Sequence, residues 1–365
     1  MSAAAFFSST VPEADSKFAA AAALAHASRE VIAHPLKGPN GEPLQVSVAR
    51  LGSARATRVL LVLSGTHGVE GFAGAGIQTG LLHRARTIQM CPETAVLLVH
   101  LINPWGPAWD RREDHENIDL FRNFLYAHDP ITPDPLFDEI DDAMDLVNLQ
   151  KRSAQENESR RNQLLAKYGQ PRIIAAIRRG QHHRPRALTY HGQGPCWSRN
   201  VLEQVVRREL AGCSHVAVLD IHTGFGKYGE GLVMAYDAPG DARYERVRRW
   251  MDDDIYTPGG DFDIPAHAKS PYGFIADWVP KLQVTAAILE LGTFDPEETR
   301  DHHLNHYFHL FGDPRSPEGL KVGAKYRRYF YPEEPKWNDA VLARGLDVSR
   351  RMLRGLGTWA DNPPS

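Results

Sequence analysis

Cysteine is nearly absent: Cys91, Cys196 and Cys213 are the three in 365 residues. An odd, widely spaced set excludes a disulfide framework and offers no Cys-x-x-Cys metal knuckle. The three thiols read as inert, partly buried side chains. No apolar run approaches the ~18–20 residues of a membrane span. The first ten residues carry neither a basic start nor a sustained apolar stretch, so no secretory leader is expected. These absences together predict a reducing cytoplasm and no membrane partner. An excess of one charge is also missing, with 42 Lys and Arg against 45 Asp and Glu and a net charge of −3. That balance removes any general attraction to nucleic acid. There is no internal repeat, and the only low-complexity tract is a run of alanines at 19–23.

What is present is an ordinary globular composition, 42% apolar and 24% charged, in a chain long enough for a large core. The alanine-rich residues 16–33 predict a packing helix, and alternating apolar residues over 41–51 a half-buried strand. Residues 59–63, 94–102 and 216–222 are apolar runs typical of fully buried strands, with a crossover helix over 70–86. A helix over 198–211, a strand near 231–236, a helix near 242–251 and an apolar strand from 284 follow. A Gly/Asp/Pro-rich loop fills 258–271, and the tail reads as helices near 297–311, 319–328 and 337–356. This rhythm predicts an α/β fold: a mixed, largely parallel central sheet with helices on both faces. We expect one domain over 1–365, with 127–200 a mainly helical insertion packed on it, because no Gly/Ser linker marks either side.

Chemistry concentrates where the strands end, the usual place for sites in open α/β sheets. The first buried strand runs into Ser64-Gly-Thr-His67-Gly-Val-Glu70. A His-x-x-Glu pair at that point can offer one imidazole nitrogen and one carboxylate to a single cation. His222 stands at the end of another strand, and two histidines with one glutamate are a known ligand set for zinc hydrolases. We therefore expect His67, Glu70 and His222 to hold Zn2+. Glu290 ends a further strand among Ile288, Leu289 and Leu291, an apolar setting that should raise its pKa and suit a general base. The basic, His-rich stretch 178–186 reads as a solvated face, and His302, His303 and His306 as ordinary helix residues rather than a second metal site.

Five motifs in order carry a resemblance. They are His67-x-x-Glu70, Asn103-Pro-x-Gly with Arg111-Arg112, Asp119-Leu-Phe-Arg122-Asn-Phe, Asp220-Ile-His222-Thr, and Glu290-Leu-Gly. Over residues 58–293 the chain resembles the zinc carboxypeptidase superfamily, which includes carboxypeptidase A-like peptidases and the aspartoacylase/succinylglutamate desuccinylase branch. The tail and the 180–198 stretch further resemble a bacterial group of uncharacterised function within it. The resemblance implies a zinc-dependent hydrolase of an amide bond in a small peptide or N-acyl amino acid. It implies Glu290 as base and Arg111 or Arg112 as the cation that polarises the carbonyl. Arg122, with Asn123 beside it, would grip a substrate carboxylate. Asp119 would orient a ligand histidine, although it and Asp220 also fit as turn caps. The pattern departs at Phe121, where the family carries Asn before the gripping arginine, and an apolar ring cannot share that clamp. Tyr272 does not align convincingly with the tyrosine that classical carboxypeptidases hold before the base. A non-catalytic metal- or ligand-binding protein of the same fold is the alternative. The expected partner is a small-molecule or short-peptide substrate, carboxylate-bearing, and a homo-oligomer is compatible with the sequence.

Overall fold

The computed structural model describes residues 2–126, 132, 134–148, 151–257, 272–294 and 300–359. The loop expected over 258–271 and the start of the helix expected from 297 lie outside the described residues. Seven strands form one sheet: β1 Ser28–Lys37, β2 Pro43–Leu51, β3 Arg58–Ser64, β4 Thr94–His100, β5 His215–Thr223, β6 Gly231–Met234 and β7 Gln283–Leu291. Their spatial order is β1-β2-β4-β3-β5-β7-β6. The inner strands β4, β3, β5 and β7 are mutually parallel, whereas β1, β2 and β6 pair antiparallel. The sheet is therefore mixed with a parallel core, as the buried apolar runs predict.

Side chains alternate across the inner strands, so each strand feeds two cores. Leu60 and Val62 on β3, Val96 and Leu98 on β4, and Ala217 and Leu219 on β5 face one side. There they meet α1 (Val11–Leu24), α2 (Gly71–His83) and α13 (Pro335–Gly357) through Phe18, Ile77, Leu81, Val341 and Met352. Leu61, Leu63, Leu97, Val99 and Val218 face the other side. That face is covered from α4 (Leu120–Tyr126), α8 (Trp197–Glu209) and α10 (Phe274–Trp278) by Phe124, Val201, Leu202, Val205 and Ile275. Each such valine, leucine, isoleucine, phenylalanine or methionine contributes about 1.5–3 kcal/mol when fully buried, which makes this register hard to slip.

Between β4 and β5 lie α3 (Trp105–Ala108), α4, α5 (Pro135–Met144), α6 (Ala154–Tyr168), α7 (Gln170–Arg179) and α8. Helices α5, α6 and α7 share a small apolar cluster of their own around Leu136, Ile140 and Ala176. The basic stretch after α7 is tied to the acidic face of α5: Arg184 pairs with Asp138, Asp141 and Asp142, and His183 with Asp138, each at 2.7 Å. The remaining helices are α9 (Ala242–Trp250), α11 (Arg300–Leu310) and α12 (Pro317–Phe330). No helix among the described residues is long and apolar enough to cross a membrane.

One expectation is corrected. The helix predicted over 16–33 stops at Leu24, and residues from Ser28 form strand β1. The chain turns at His26 with φ of 53°. Backbone pairing of Ser28–Ala33 with β2 then overrides the helical propensity of the alanines.

Candidate metal centre

Parallel strands end on the same side of the sheet, and β3, β4, β5 and β7 all deliver polar residues there. His67 follows β3 and enters a single 3-10 turn, Gly68–Glu70, that leads into α2. The loop after β4 is clamped to this turn by backbone bonds from Gly68 N to Arg112 O (2.8 Å) and from Val69 N to Arg111 O (2.7 Å). Only glycine permits so close an approach, since a Cβ at Gly68 would lie 2.3 Å from Arg111 O and 2.4 Å from Gly106 Cα. His222 lies on β5 directly across from Glu290 of β7 in the parallel register.

Three donor atoms converge. His67 Nδ1 lies 3.1 Å from Glu70 Oε1, His222 Nδ1 lies 3.1 Å from Glu70 Oε2, and the two Nδ1 atoms are 3.0 Å apart. All three residues are buried, and no other group of His, Cys, Asp or Glu with this convergence occurs among the described residues. Ligands at 2.0–2.1 Å around a tetrahedral zinc sit ~3.3 Å from one another, close to the observed triangle. A proton can be shared by only two of these atoms, whereas one divalent cation satisfies all three lone pairs. The donor set fits zinc.

The surroundings favour positive charge at the centre. Burial opposes the charge on Glu70, but His67 and His222 more than offset it and hold the carboxylate below its ordinary range. Burial likewise works against a charged His222, yet Asp220 and Glu70 raise its proton affinity well above the usual imidazole value. A cation therefore competes with a proton for Nδ1 of His222. Asp220, fully buried, accepts His222 Nε2 at 2.6 Å, Thr66 Oγ1 at 3.0 Å and the Tyr272 hydroxyl. This places a proton on Nε2 and leaves the Nδ1 lone pair facing the cluster. Glu70 Oε2 is steadied by the Thr223 amide at 3.1 Å.

Arg112 reaches the cluster and Arg111 does not. Arg112 Nη2 lies 2.6 Å from His67 Nε2, Nε lies 3.7 Å from Glu70 Oε1, and Nη1 pairs with Asp119. The buried Arg111 instead pairs with Glu113 at 2.8 Å and Asn117 at 2.5 Å. Asp119 Oδ1 stands 3.6 Å from His67 Nε2. Burial opposes the Asp119 charge, but Arg112 and Arg122 hold its carboxyl well below the usual range. Glu290 Oε2 is buried with no hydrogen-bond partner among the described residues. Burial raises the Glu290 pKa to about 7; His222 and Arg112 oppose the rise and Glu70 adds to it.

Two residues named from the sequence stand differently from the expected carboxylate clamp. Arg122 directs its guanidinium at Asp119 and at the Arg178 carbonyl. Asn123 is fully buried, donates to the His191 and Gly194 carbonyls at 2.8 Å each, and accepts the Cys196 amide at 3.2 Å. It ties down the 191–196 loop. Two aromatic residues stand beside the centre, Phe121, which the sequence singled out, and Tyr236, which it did not. The Phe121 ring lies 6.0 Å from the His67 ring and 5.9 Å from the His222 ring, and the Tyr236 ring lies 6.2 Å from that of Phe121. Phe121 had a signal, its departure from the family pattern, while Tyr236 follows β6 with no motif around it.

Compared with solved structures, the chain is similar to carboxypeptidase A from Helicoverpa armigera, with 14% identity, a TM-score of 0.46, and 87% of this chain and 73% of that one covered. It is similar to a metallo-carboxypeptidase from Burkholderia cenocepacia, with 13% identity, a TM-score of 0.41, and coverage of 93% and 68%. It is also similar to succinylglutamate desuccinylase from Chromobacterium violaceum, with 16% identity, a TM-score of 0.37, and coverage of 85% and 76%. These TM-scores are below 0.5, and the chemistry of the centre is read from its own atoms. No curated protein matches the chain by sequence. Residues 7–344 match the family described as Protein of unknown function (DUF2817), and the chain belongs to that family.

Proposed function

We propose that this protein is a zinc-dependent hydrolase that cleaves an amide bond in a small peptide or an N-acyl amino acid. The observation that carries the reading is Glu290: a half-buried carboxyl of raised pKa whose Oε2 has no hydrogen-bond partner among the described residues, one strand across from a His-Glu-His cluster. His67, Glu70 and His222 would hold the metal, and zinc in such a set supplies Lewis acidity and activation of water near neutral pH. Glu290, with a proton affinity near neutrality, takes a proton from the attacking water and returns it to the leaving amine. Arg112, a fixed cation facing the cluster, stabilises negative charge on the carbonyl oxygen. The Phe121 ring, 6.0 and 5.9 Å from the rings of His67 and His222, presents apolar surface beside the cluster. A non-catalytic metal- or ligand-binding protein is the second reading, favoured by the apolar Phe121 standing against both ligand histidines.

The test uses purified protein and a panel of dipeptides, N-acyl amino acids and ester analogues. The expected outcome is about one zinc per chain, with hydrolysis abolished and zinc retained in Glu290→Gln. Full activity in that variant refutes the base assignment. Tight ligand binding without turnover across the panel supports the second reading.

A further inference from the structure

Arg122 sits where the resemblance calls for a substrate-gripping cation, and three of its five N–H donors are already engaged. Nη1 pairs with Asp119 Oδ2, and the Arg122 backbone amide donates to Asp119 Oδ1 at 3.1 Å. On its other side, Nε and Nη2 donate to the Arg178 carbonyl at 3.0 and 2.8 Å. That carbonyl belongs to the last turn of α7, which ends at Arg179. The last carbonyls of a helix have no partner inside it and carry the negative end of its dipole, so a forked cation is a strong cap there. The packing is built around this contact. Gly180 follows the helix with φ of 78°, and a Cβ on it would lie 2.6 Å from Arg122 Cδ.

We infer that Arg122 is a positioning residue that fastens the α5–α7 helical unit to the metal centre. The connection runs through named atoms: the Arg178 carbonyl, the Arg122 guanidinium, the Asp119 carboxylate and then His67 Nε2, 3.6 Å from Asp119 Oδ1. Asp119 is fully buried, so its orientation is set by these partners rather than by solvent. Asp119 also pairs with Arg112, whose Nη2 lies 2.6 Å from the same His67 nitrogen, so the carboxylate and Arg112 together bound the ring edge opposite Nδ1, which faces Glu70 and His222. The same guanidinium thus caps α7 and orients the carboxylate behind a ligand histidine. This inference rests on the metal-centre reading for its zinc arm only.

The experiment compares wild type, Arg122→Gln and Arg122→Lys by zinc competition titration and by amide hydrogen exchange over residues 170–179. Glutamine removes both connections, so zinc affinity should fall about tenfold or more. Exchange over 170–179 should rise by about tenfold or more while β3 and β5 stay protected, which reports that the protein has folded. Lysine keeps a charge on Asp119 but lacks the fork, so it should recover most of the zinc affinity and little of the helix protection. Unchanged zinc affinity or unchanged exchange in Arg122→Gln overturns the inference. So does a defect confined to a raised KM for substrates with a free carboxylate relative to their amides. Failure of the wild type to bind zinc at all refutes the metal reading instead, and the exchange arm then still decides whether Arg122 fastens α7.

Discussion

Replacing Asp220 by Asn removes one charge behind His222 and almost nothing else. Asp220 Oδ2 accepts His222 Nε2 at 2.6 Å together with the Tyr272 hydroxyl, and Oδ1 accepts Thr66 Oγ1 at 3.0 Å. An amide can leave its oxygen toward His222 and Tyr272 and turn its NH2 toward Thr66, whose hydroxyl also accepts. The hydrogen bonds survive, but those that were charge-assisted become neutral and lose about half their strength. Outer partners of this type change metal affinity by about 10–100-fold, equivalent to about 1.4–2.7 kcal/mol. Asp220→Ala is less informative, because it strands three buried donors at ~1–3 kcal/mol each, comparable with the whole stability of a domain. The effect should depend on pH with a definite sign. Asp220 raises the proton affinity of His222, so in the wild type protons compete with zinc at Nδ1 as pH falls. The amide weakens both competitors, and the deficit in zinc affinity should therefore be smaller at pH 6.5 than at pH 8.5. Competition titration against a chromophoric chelator at the two pH values reads this directly. An affinity within about twofold of wild type at pH 8.5 would refute the orienting role of Asp220.

The remaining predictions concern neighbouring residues and one distant pair. Arg112→Ala should lower kcat/KM by about 10²–10³ with zinc content unchanged, as measured by steady-state kinetics and metal analysis. Arg111→Ala should act mainly on stability, because it leaves buried Glu113 without its partner at about 3–5 kcal/mol, read as a fall in denaturation midpoint. Gly68→Ala should push the His67–Glu70 turn away from the arginine loop and depress zinc affinity and thermal stability together, with a stability loss of about 1–3 kcal/mol. Asp15 lies 3.5 Å from the buried His100, and burial raises its pKa from 3.8 to about 7 against the opposing charge of Arg29. Between those values the folded state binds the extra proton at Asp15, so its contribution to stability falls as pH rises from about 4 to 7; burial lowers the neighbouring His100 to about 3, and its contribution rises over much of the same range and opposes the fall. Asp15→Asn should leave the His100 contribution unopposed, so the melting temperature should rise more steeply between about pH 4 and 6.5 than in the wild type.

Much of the frame was legible in the chain. Residues 59–63, 94–102 and 216–222 gave rise to β3, β4 and β5, since short, mainly apolar runs rich in valine and leucine and bounded by turn residues suit strands buried on both faces. His67, Glu70 and His222 meet, as their places at the strand ends implied, since parallel strands bring their exits to one side. The sequence was misleading at 28–33, where alanine-rich chain continues smoothly into residues that pair with β2; a pairing partner is not a local property.

Tertiary structure alone separated Arg111 from Arg112. Two adjacent arginines are chemically identical in a sequence, and only the clamp of their backbone onto Gly68 and Val69 sends one toward His67 and the other toward Glu113. It also decided that Arg122 faces the end of α7, a helix 56 positions away, and that Phe121 and Tyr236 stand together beside the centre. Residue type and spacing determine which chemistry a chain can perform and which segments must be buried. The direction in which a long polar side chain points depends on donors and acceptors brought in from distant segments, and those exist only once the chain has packed.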